Sequence, residues 1–264
     1  MKVIVCIKQV PDTSGKVAVN PDGTLNRASM QTITNPDDMN AIEAALKIKD
    51  ATDCKVIVVT MGPPPAAGML REAMAMGADR AVLVSAREFG GSDTYATSQI
   101  LAAAIDTIGV EDDDIVMCGR QAIDGDTAQV GPQIAEHLDL PQITYAAGIS
   151  YCEECGKLTV KRQFEDRYQT LQVKGLCLIT VLSSMVKARY MNVWDIVDQD
   201  NKEIGKITNE DLQLEKAVIG LTGSPTKVKA SFTKQLDKTV ETLELNPEEA
   251  AKAIVDALNK RHLI

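Results

Sequence analysis

The chain has 264 residues, 45% of them apolar but only 3% aromatic, with 37 acids against 28 bases for a formal net charge of −9. That length suits one large α/β domain with an extension or two small domains, and the acidic balance excludes wholesale electrostatic binding to nucleic acid or anionic membrane. No apolar run reaches the ~18 residues of a membrane-spanning helix, and the N-terminus enters a strand with no leader pattern, so the expectation is a cytoplasmic protein.

Lys2 to Gln9 opens the chain as a strand, with Val3-Ile4-Val5-Cys6-Ile7 continuously apolar as a central parallel strand requires. Pro11 to Ala28 is turn-rich and carries Pro21-Asp22-Gly23, a tight turn by composition. Asn35 is placed to cap a helix whose first position is Pro36, with Met39, Ile42 and Leu46 as its buried stripe. Lys55 to Met61 is the next strand. Gly62-Pro63-Pro64-Pro65 then breaks the chain before a helix that turns Met69, Leu70, Ala73 and Met74 inward, with Gly77 as its C-cap. Arg80 to Ser85 is a third strand. Beyond it, Ser92 or Asp93 caps a helix from Thr94 to Ile108. The Gly90-Gly91 pair ahead of that cap suits either a ligand's phosphates or an ordinary connection.

Ile115-Val116-Met117-Cys118 is a fourth buried strand, followed by a loop of small and polar residues from Gly119 to Gln129. Val130, Ile134 and Leu138 recur four apart on one helix face, and Pro132 places the helix start near Gly131 or introduces a kink. Strand, glycine-containing turn and helix start together form a setting for phosphate, because the first helix amides lack internal partners and the dipole is positive there. Asp124 and Asp126 oppose a pyrophosphate unless turned towards ribose or solvent, so an acidic surface turn is the competing reading. Tyr145 to Val173 reads as strand-like hairpin segments, and Leu176 to Leu182 as another buried strand. Cys152 and Cys155 have metal-ligand spacing but no second pair, which favours a hairpin turn over a metal or redox role.

After Leu182 the alternation is lost. Arg189 to Val197 carries the only tryptophan, Trp194, for which core packing and service as an interaction anchor are both open. The tail has few core residues until a final helix after Asn246-Pro247 with Ala250, Ile254 and Leu258 as its stripe, so an arm wrapping a partner is expected. The alternation of strand and helix predicts an α/β fold: an open, mostly parallel sheet with helices on both faces, Rossmann-like, plus a small antiparallel hairpin region and a C-terminal arm. The expected division is a nucleotide-binding core over 1–185 and a recognition loop with arm over 186–264. Ligands in such sheets bind beyond the carboxyl ends of strands where strand order reverses. That rule draws together the ends of strands at Cys6, Met61 and Gly119. His137 and His262 mark no triad, and neither a Gly-x-x-x-x-Gly-Lys-Ser/Thr loop nor a Gly-x-Gly-x-x-Gly follows the first strand.

Gly119-Arg120-Gln121-Ala122-Ile123-Asp124-Gly125-Asp126-Thr127-Ala128-Gln129-Val130-Gly131-Pro132 resembles the nucleotide loop of the electron-transfer flavoprotein beta subunit. The likeness extends in order through Lys8-Gln9-Val10-Pro11-Asp12, Asn35-Pro36, Met61-Gly62-Pro63, Ala75 to Arg80 and Val160 to Asp166. Arg167, Leu176 and Ala188 depart from the family pattern. The resemblance implies an adenine nucleotide held by Cys6, Asn35, Met61 and the loop from Arg120 to Pro132. It also implies an alpha subunit as partner, and docking of an acyl-CoA dehydrogenase by Arg189, Tyr190, Met191, Val193 and Trp194.

Gly62-Pro63-Pro64-Pro65, the run from Phe89 through Gly90, Gly91 and Thr94 to Thr97, and Gly223-Ser224-Pro225-Thr226 resemble the electron-bifurcating beta subunits. That likeness implies FAD on this chain and NADH as electron donor, bound by Gly62, Pro63, Pro64, Phe89, Gly90, Gly91, Thr94 and Thr97. Electrons would then divide between the alpha-subunit flavin and ferredoxin or flavodoxin. The alternatives are a subunit holding AMP as a structural ligand and a stand-alone ATP-binding domain. The long tail disfavours the last.

Overall fold

The computed structural model describes residues 1–12, 31–199, 201–229 and 242–264. It divides into two units, Met1–Lys229 and Ala230–Ile264. In the first, β1 (Lys2–Cys6), β4 (Lys55–Met61), β5 (Arg80–Val84), β6 (Ile115–Gly119), β7 (Gln142–Cys152), β8 (Lys157–Gln163), β9 (Tyr168–Lys174), β10 (Cys177–Val181) and β11 (Ile204–Ile207) form one sheet. Its order is β11-β5-β4-β1-β6-β10-β7-β8-β9, and β2 (Gln9–Pro11) pairs separately with β3 (Thr32–Thr34). Neighbours from β11 to β7 run parallel, while β7, β8 and β9 pair antiparallel as the predicted hairpin region.

Period-two alternation distributes each strand between two cores. Val3 and Val5 of β1 face α1 (Pro36–Thr52) and α2 (Ala67–Met76), whereas Ile4 and Cys6 face α3 (Thr94–Ile108) and α4 (Val130–His137). Helices therefore cover both faces, as the strand-helix alternation predicted. Scarce aromatics leave the filling to Ile, Val, Leu, Ala and Met, with Leu70, Met74, Ile100 and Met117 among the fully buried side chains. Outside the core, the exposed His137 ring meets Tyr95 edge-on at 5.5 Å, joining α4 to α3 at the surface.

Three elements differ from the sequence expectation. The polar stretch after Trp194 contains β11, which extends the sheet beyond β5, so the sheet takes in residues that a core ending at 185 leaves out. An edge strand with one neighbour needs no apolar run on both faces, which hides it from periodicity. α1 buries Asp37, Asp38 and Glu43 besides Ile42 and Leu46, with Met39 only half-buried. Trp194, on α5 (Val193–Asp198), is 81% exposed, which overturns core packing: a helix of six residues with none buried has no core to give it.

α6 (Asn209–Leu212) and α7 (Gly220–Gly223) complete the first unit. α7 is tied to the segment after β5, its Leu221 amide donating to Gly90 O at 3.1 Å. In the tail expected to act as an arm, Val228 is 86% exposed, and Phe232, another apolar residue of that tail, lies outside the described residues. The second unit contains α8 (Pro247–Lys260), the predicted final helix: the Asn246 side chain caps it by accepting from the Glu249 amide at 2.9 Å, and Pro247 is the first helical residue. Of its predicted stripe, Ala250 and Leu258 are half-buried and Ile254 is exposed.

Candidate nucleotide site

β1 and β6 are adjacent, with Cys6 opposite Cys118, and the chain builds outward from β1 to β4 and β5 on one side before returning to β6 on the other. This is the reversal of strand order that opens a crevice at the carboxyl ends. The start of α1 closes the crevice floor. Asn35 is fully buried, but its side chain does not cap α1 as predicted. Instead Nδ2 donates to Gln121 O at 2.8 Å and Oδ1 accepts from the Ile123 amide at 3.1 Å. One carboxamide thereby fixes the loop after β6.

Asp38 completes the floor. Its Oδ2 accepts from the Lys8 amide at 2.8 Å and its Oδ1 from the Gly119 amide at 2.9 Å, so one carboxylate ties the ends of both strands. Burial pushes its carboxyl up to about 7, against the lowering pull of those amides and of Asn35, while neighbouring Asp37 adds to the rise. Arg120 Nε lies 3.4 Å from Asp37 Oδ2, placing a cation beside the buried pair. Gly119 is required here, because a Cβ would meet Asp37 Cβ at 2.7 Å. Sequence reading missed Asp37 and Asp38, since acids in a first helix turn read as partners of the helix dipole.

Asp124 and Asp126 are each engaged by another side chain. Lys8 Nζ contacts both Asp124 oxygens, at 2.7 and 2.8 Å, and Gln121 Nε2 donates to Asp126 Oδ1 at 2.7 Å. Asp126 and Ala128 adopt left-handed φ of 50° and 52°, bending the loop on either side of Thr127. The amides of Thr127, Ala128, Gln129, Val130 and Gly131 have no acceptor among the described residues. Val130 and Gly131 open α4, the other three lead into it, and Pro132 has no amide to satisfy. Gly131 lets α4 sit directly on the sheet: a Cβ there would meet Cys118 Sγ at 2.7 Å and Thr180 Cγ2 at 2.8 Å. Unpartnered amides at a helix start, with the nearby carboxylates already engaged, fit the pyrophosphate or phosphate of an adenine nucleotide.

Cys6 and Cys118 contribute packing. Burial pushes the Cys6 thiol up to about 12 and raises Cys118 as well, so both remain protonated. Met61 ends β4 half-buried, and the Gly62 amide donates to Val84 O at 3.1 Å, holding Gly62-Pro63-Pro64 against β5. Pro64 opens a short 3-10 turn and lines a cavity of about 590 Å³ with Ala67, Arg71 and Lys206.

Residues 89–97 form a second cluster at the end of β5. Phe89 is 4% exposed and packs in the core with the buried residues of α3. Gly91 takes φ +77°, and Asp93, not Ser92, caps α3 by accepting from the Ala96 amide at 3.0 Å. The other oxygen of Asp93 accepts from both Thr226 N (2.9 Å) and Thr226 Oγ1 (2.7 Å), while its own amide donates to Ser224 Oγ. Burial works to raise the Asp93 carboxyl, and these hydrogen bonds hold it below its usual range. Thr94 Oγ1 donates to Gln129 Oε1 at 3.0 Å, joining this cluster to the loop after β6, and Thr97 follows half-buried one turn on.

The predicted recognition residues divide by role. Arg189 is pinned, its Nε and Nη2 on Glu43 at 2.8 and 3.1 Å and its Nη2 on Asp50 at 2.6 Å. It is an anchor onto α1, which also carries Asp38. The Asn192 amide donates to Ala75 O, and its side chain accepts from the Trp194 amide, capping α5. These ties present Tyr190, Met191, Val193 and Trp194 as an exposed apolar surface.

The family model described as Electron transfer flavoprotein domain matches residues 22–212. Over the full length of both chains, the protein is 55% identical to an acryloyl-CoA reductase electron transfer subunit gamma from Anaerotignum propionicum. It is 46% identical, again over both whole chains, to the electron transfer flavoprotein subunit beta of Clostridium acetobutylicum and to the caffeyl-CoA reductase-Etf complex subunit CarD of Acetobacterium woodii. With a family match over most of its length and relatives aligned end to end, the chain belongs to the electron transfer flavoprotein family as a beta-type subunit.

Proposed function

We propose that this chain holds FAD with the adenine nucleotide in the crevice between β1 and β6, receives hydride from NADH and passes electrons in two directions. One route leads through the flavin of an alpha subunit to an acyl-CoA dehydrogenase, the other to ferredoxin or flavodoxin. The observation that carries the reading is the row of unpartnered amides from Thr127 to Gly131 at the start of α4, on a loop fixed by Asn35. When bound, the flavin supplies the redox chemistry. The residues of this chain bind and orient: Asn35 and Asp38 set the loop, Lys8 and Gln121 hold the loop carboxylates aside, and the amides receive phosphate. The relatives named for acryloyl-CoA and caffeyl-CoA reductases support a dehydrogenase partner that acts on an acyl-CoA thioester.

A second reading, AMP held as a structural ligand, uses the same loop. The burial of Phe89 and the engagement of Thr94 with Gln129 favour it, because both remove contacts from a larger ligand. The two-subunit complex decides between them. Two flavins per heterodimer and flavin bleaching by NADH in a stopped-flow mix support the first. One flavin with AMP recovered on denaturation, and no bleaching at saturating NADH, supports the second. Thr127→Glu places charge among the amides and empties the site under either reading; full nucleotide content in that variant would remove the site itself.

A further inference from the structure

We propose that Cys152 and Cys155 form a reversible dithiol-disulfide site at the tip of the β7–β8 hairpin, oxidised by small-molecule disulfides. Cys152 is the last residue of β7 and pairs with Lys157, the first of β8, so Cys155 lies within the connection between them. Gly156 takes a left-handed φ of 60° and completes the reversal. Residues three apart across such a tight turn have Cα atoms within about 7 Å, the span a disulfide bridges. Cys155 Sγ is turned back over the turn, 3.8 Å from the carbonyl oxygen of Cys152. Both thiols are free and exposed, whereas Cys6, Cys54, Cys118 and Cys177 are buried.

The surroundings separate the two roles. A hydrogen bond from the Cys152 thiol holds Cys155 below the usual thiol range, aided by Lys157, and the same contact raises Cys152. Cys155 is therefore the attacking thiolate and Cys152 the resolving thiol. Among the described residues no third histidine, cysteine or carboxylate joins them as a metal ligand set.

The exchange balances with a disulfide RSSR as oxidant. The Cys155 thiolate attacks one sulfur of RSSR, forming a mixed disulfide and releasing RS⁻. Cys152 then loses its proton to solvent and attacks Cys155 Sγ, closing the protein disulfide and expelling the second RS⁻. Two electrons pass from the dithiol to RSSR, and both thiolates take up protons from solvent according to their pKa.

The test is to treat the native full-length chain with oxidised glutathione, block residual thiols with N-ethylmaleimide and map the peptides by mass spectrometry. The expected product is an intramolecular Cys152–Cys155 disulfide, with the four buried cysteines carrying no glutathione. Cys152→Ser should trap glutathione on Cys155, and Cys155→Ser should modify Cys152 more slowly. Dithiothreitol should restore both thiols in the wild type. Unmodified thiols, or glutathione on both cysteines with no internal bridge, would overturn the assignment. Equal rates in the two variants would overturn the division of roles.

Discussion

Asn35 and Ile123 meet across 88 positions of sequence, the Asn35 Oδ1 accepting from the Ile123 amide at 3.1 Å while its Nδ2 donates to Gln121 O. The start of α1 and the loop after β6 are therefore one structural piece. Removing a partner strands a buried polar group at a cost of about 1–3 kcal/mol each. Asn35→Ala should retain the fold, lower thermal stability and release nucleotide at least tenfold more readily, read as bound adenine per chain after gel filtration. Asn35→Asp should be worse, because a carboxylate oxygen would face the Gln121 carbonyl. Undiminished occupancy in both variants would detach Asn35 from the site.

Asp38 should make stability depend on pH. Its folded value of about 7 lies above the ordinary 3.8. Its contribution is then fully present below the ordinary value and is lost as pH rises through about 7. The span corresponds to a loss on the order of 4 kcal/mol. The groups facing it are Asp37, Cys6, Cys118 and the amides of Lys8 and Gly119. Asp38→Asn should flatten the profile between about pH 4 and about pH 8, at a lower level, since its amide meets a second donor. Urea unfolding across that range reads the slope; an equally steep profile in the variant would assign it to other groups.

Gly131 and Gly125 make a controlled pair. A Cβ at Gly131 would run into Cys118 Sγ and Thr180 Cγ2, whereas one at Gly125 meets nothing within 4 Å. Gly131→Ala should cost about 1–3 kcal/mol through displaced packing of α4 and weaken nucleotide binding by moving the helix start. Gly125→Ala should leave the melting temperature nearly unchanged. Similar melting temperatures for the two variants would contradict the close approach of α4.

Arg189→Ala leaves Glu43 buried without its cation, a loss that typically destabilises by about 3–5 kcal/mol. Because the loop it anchors presents Tyr190 and Trp194, transfer to the proposed acyl-CoA dehydrogenase partner should fall while nucleotide content is retained. Trp194→Ala should impair the same transfer with no loss of stability, since the ring is exposed. Measuring both quantities for each variant separates anchoring from contact, and a stable Arg189→Ala protein would remove the anchoring role.

The strands and helices of the sheet's centre were legible because their physics is local. Continuous apolar runs such as Val3 to Ile7 mark strands buried on both faces, and the capped stretch Thr94–Ile108 is a helix with the predicted bounds. The rule that ligands in open α/β sheets bind beyond the carboxyl ends of strands also drew together the segments after Cys6 and Cys118, which the sheet sets side by side. What the sequence could not carry was long-range pairing. Asn35 looks like a helix cap, and only when β1 and β6 become neighbours does its carboxamide find Gln121 and Ile123. Asp38 looks like an acid in a first turn until the same closure buries it between two strand ends. Arg189 lies 146 positions from Glu43 and 139 from Asp50, and meets these two acids of α1 only in three dimensions. Periodicity reports which face of an element is apolar, whereas the partner of a buried polar group is decided by which elements the fold makes adjacent.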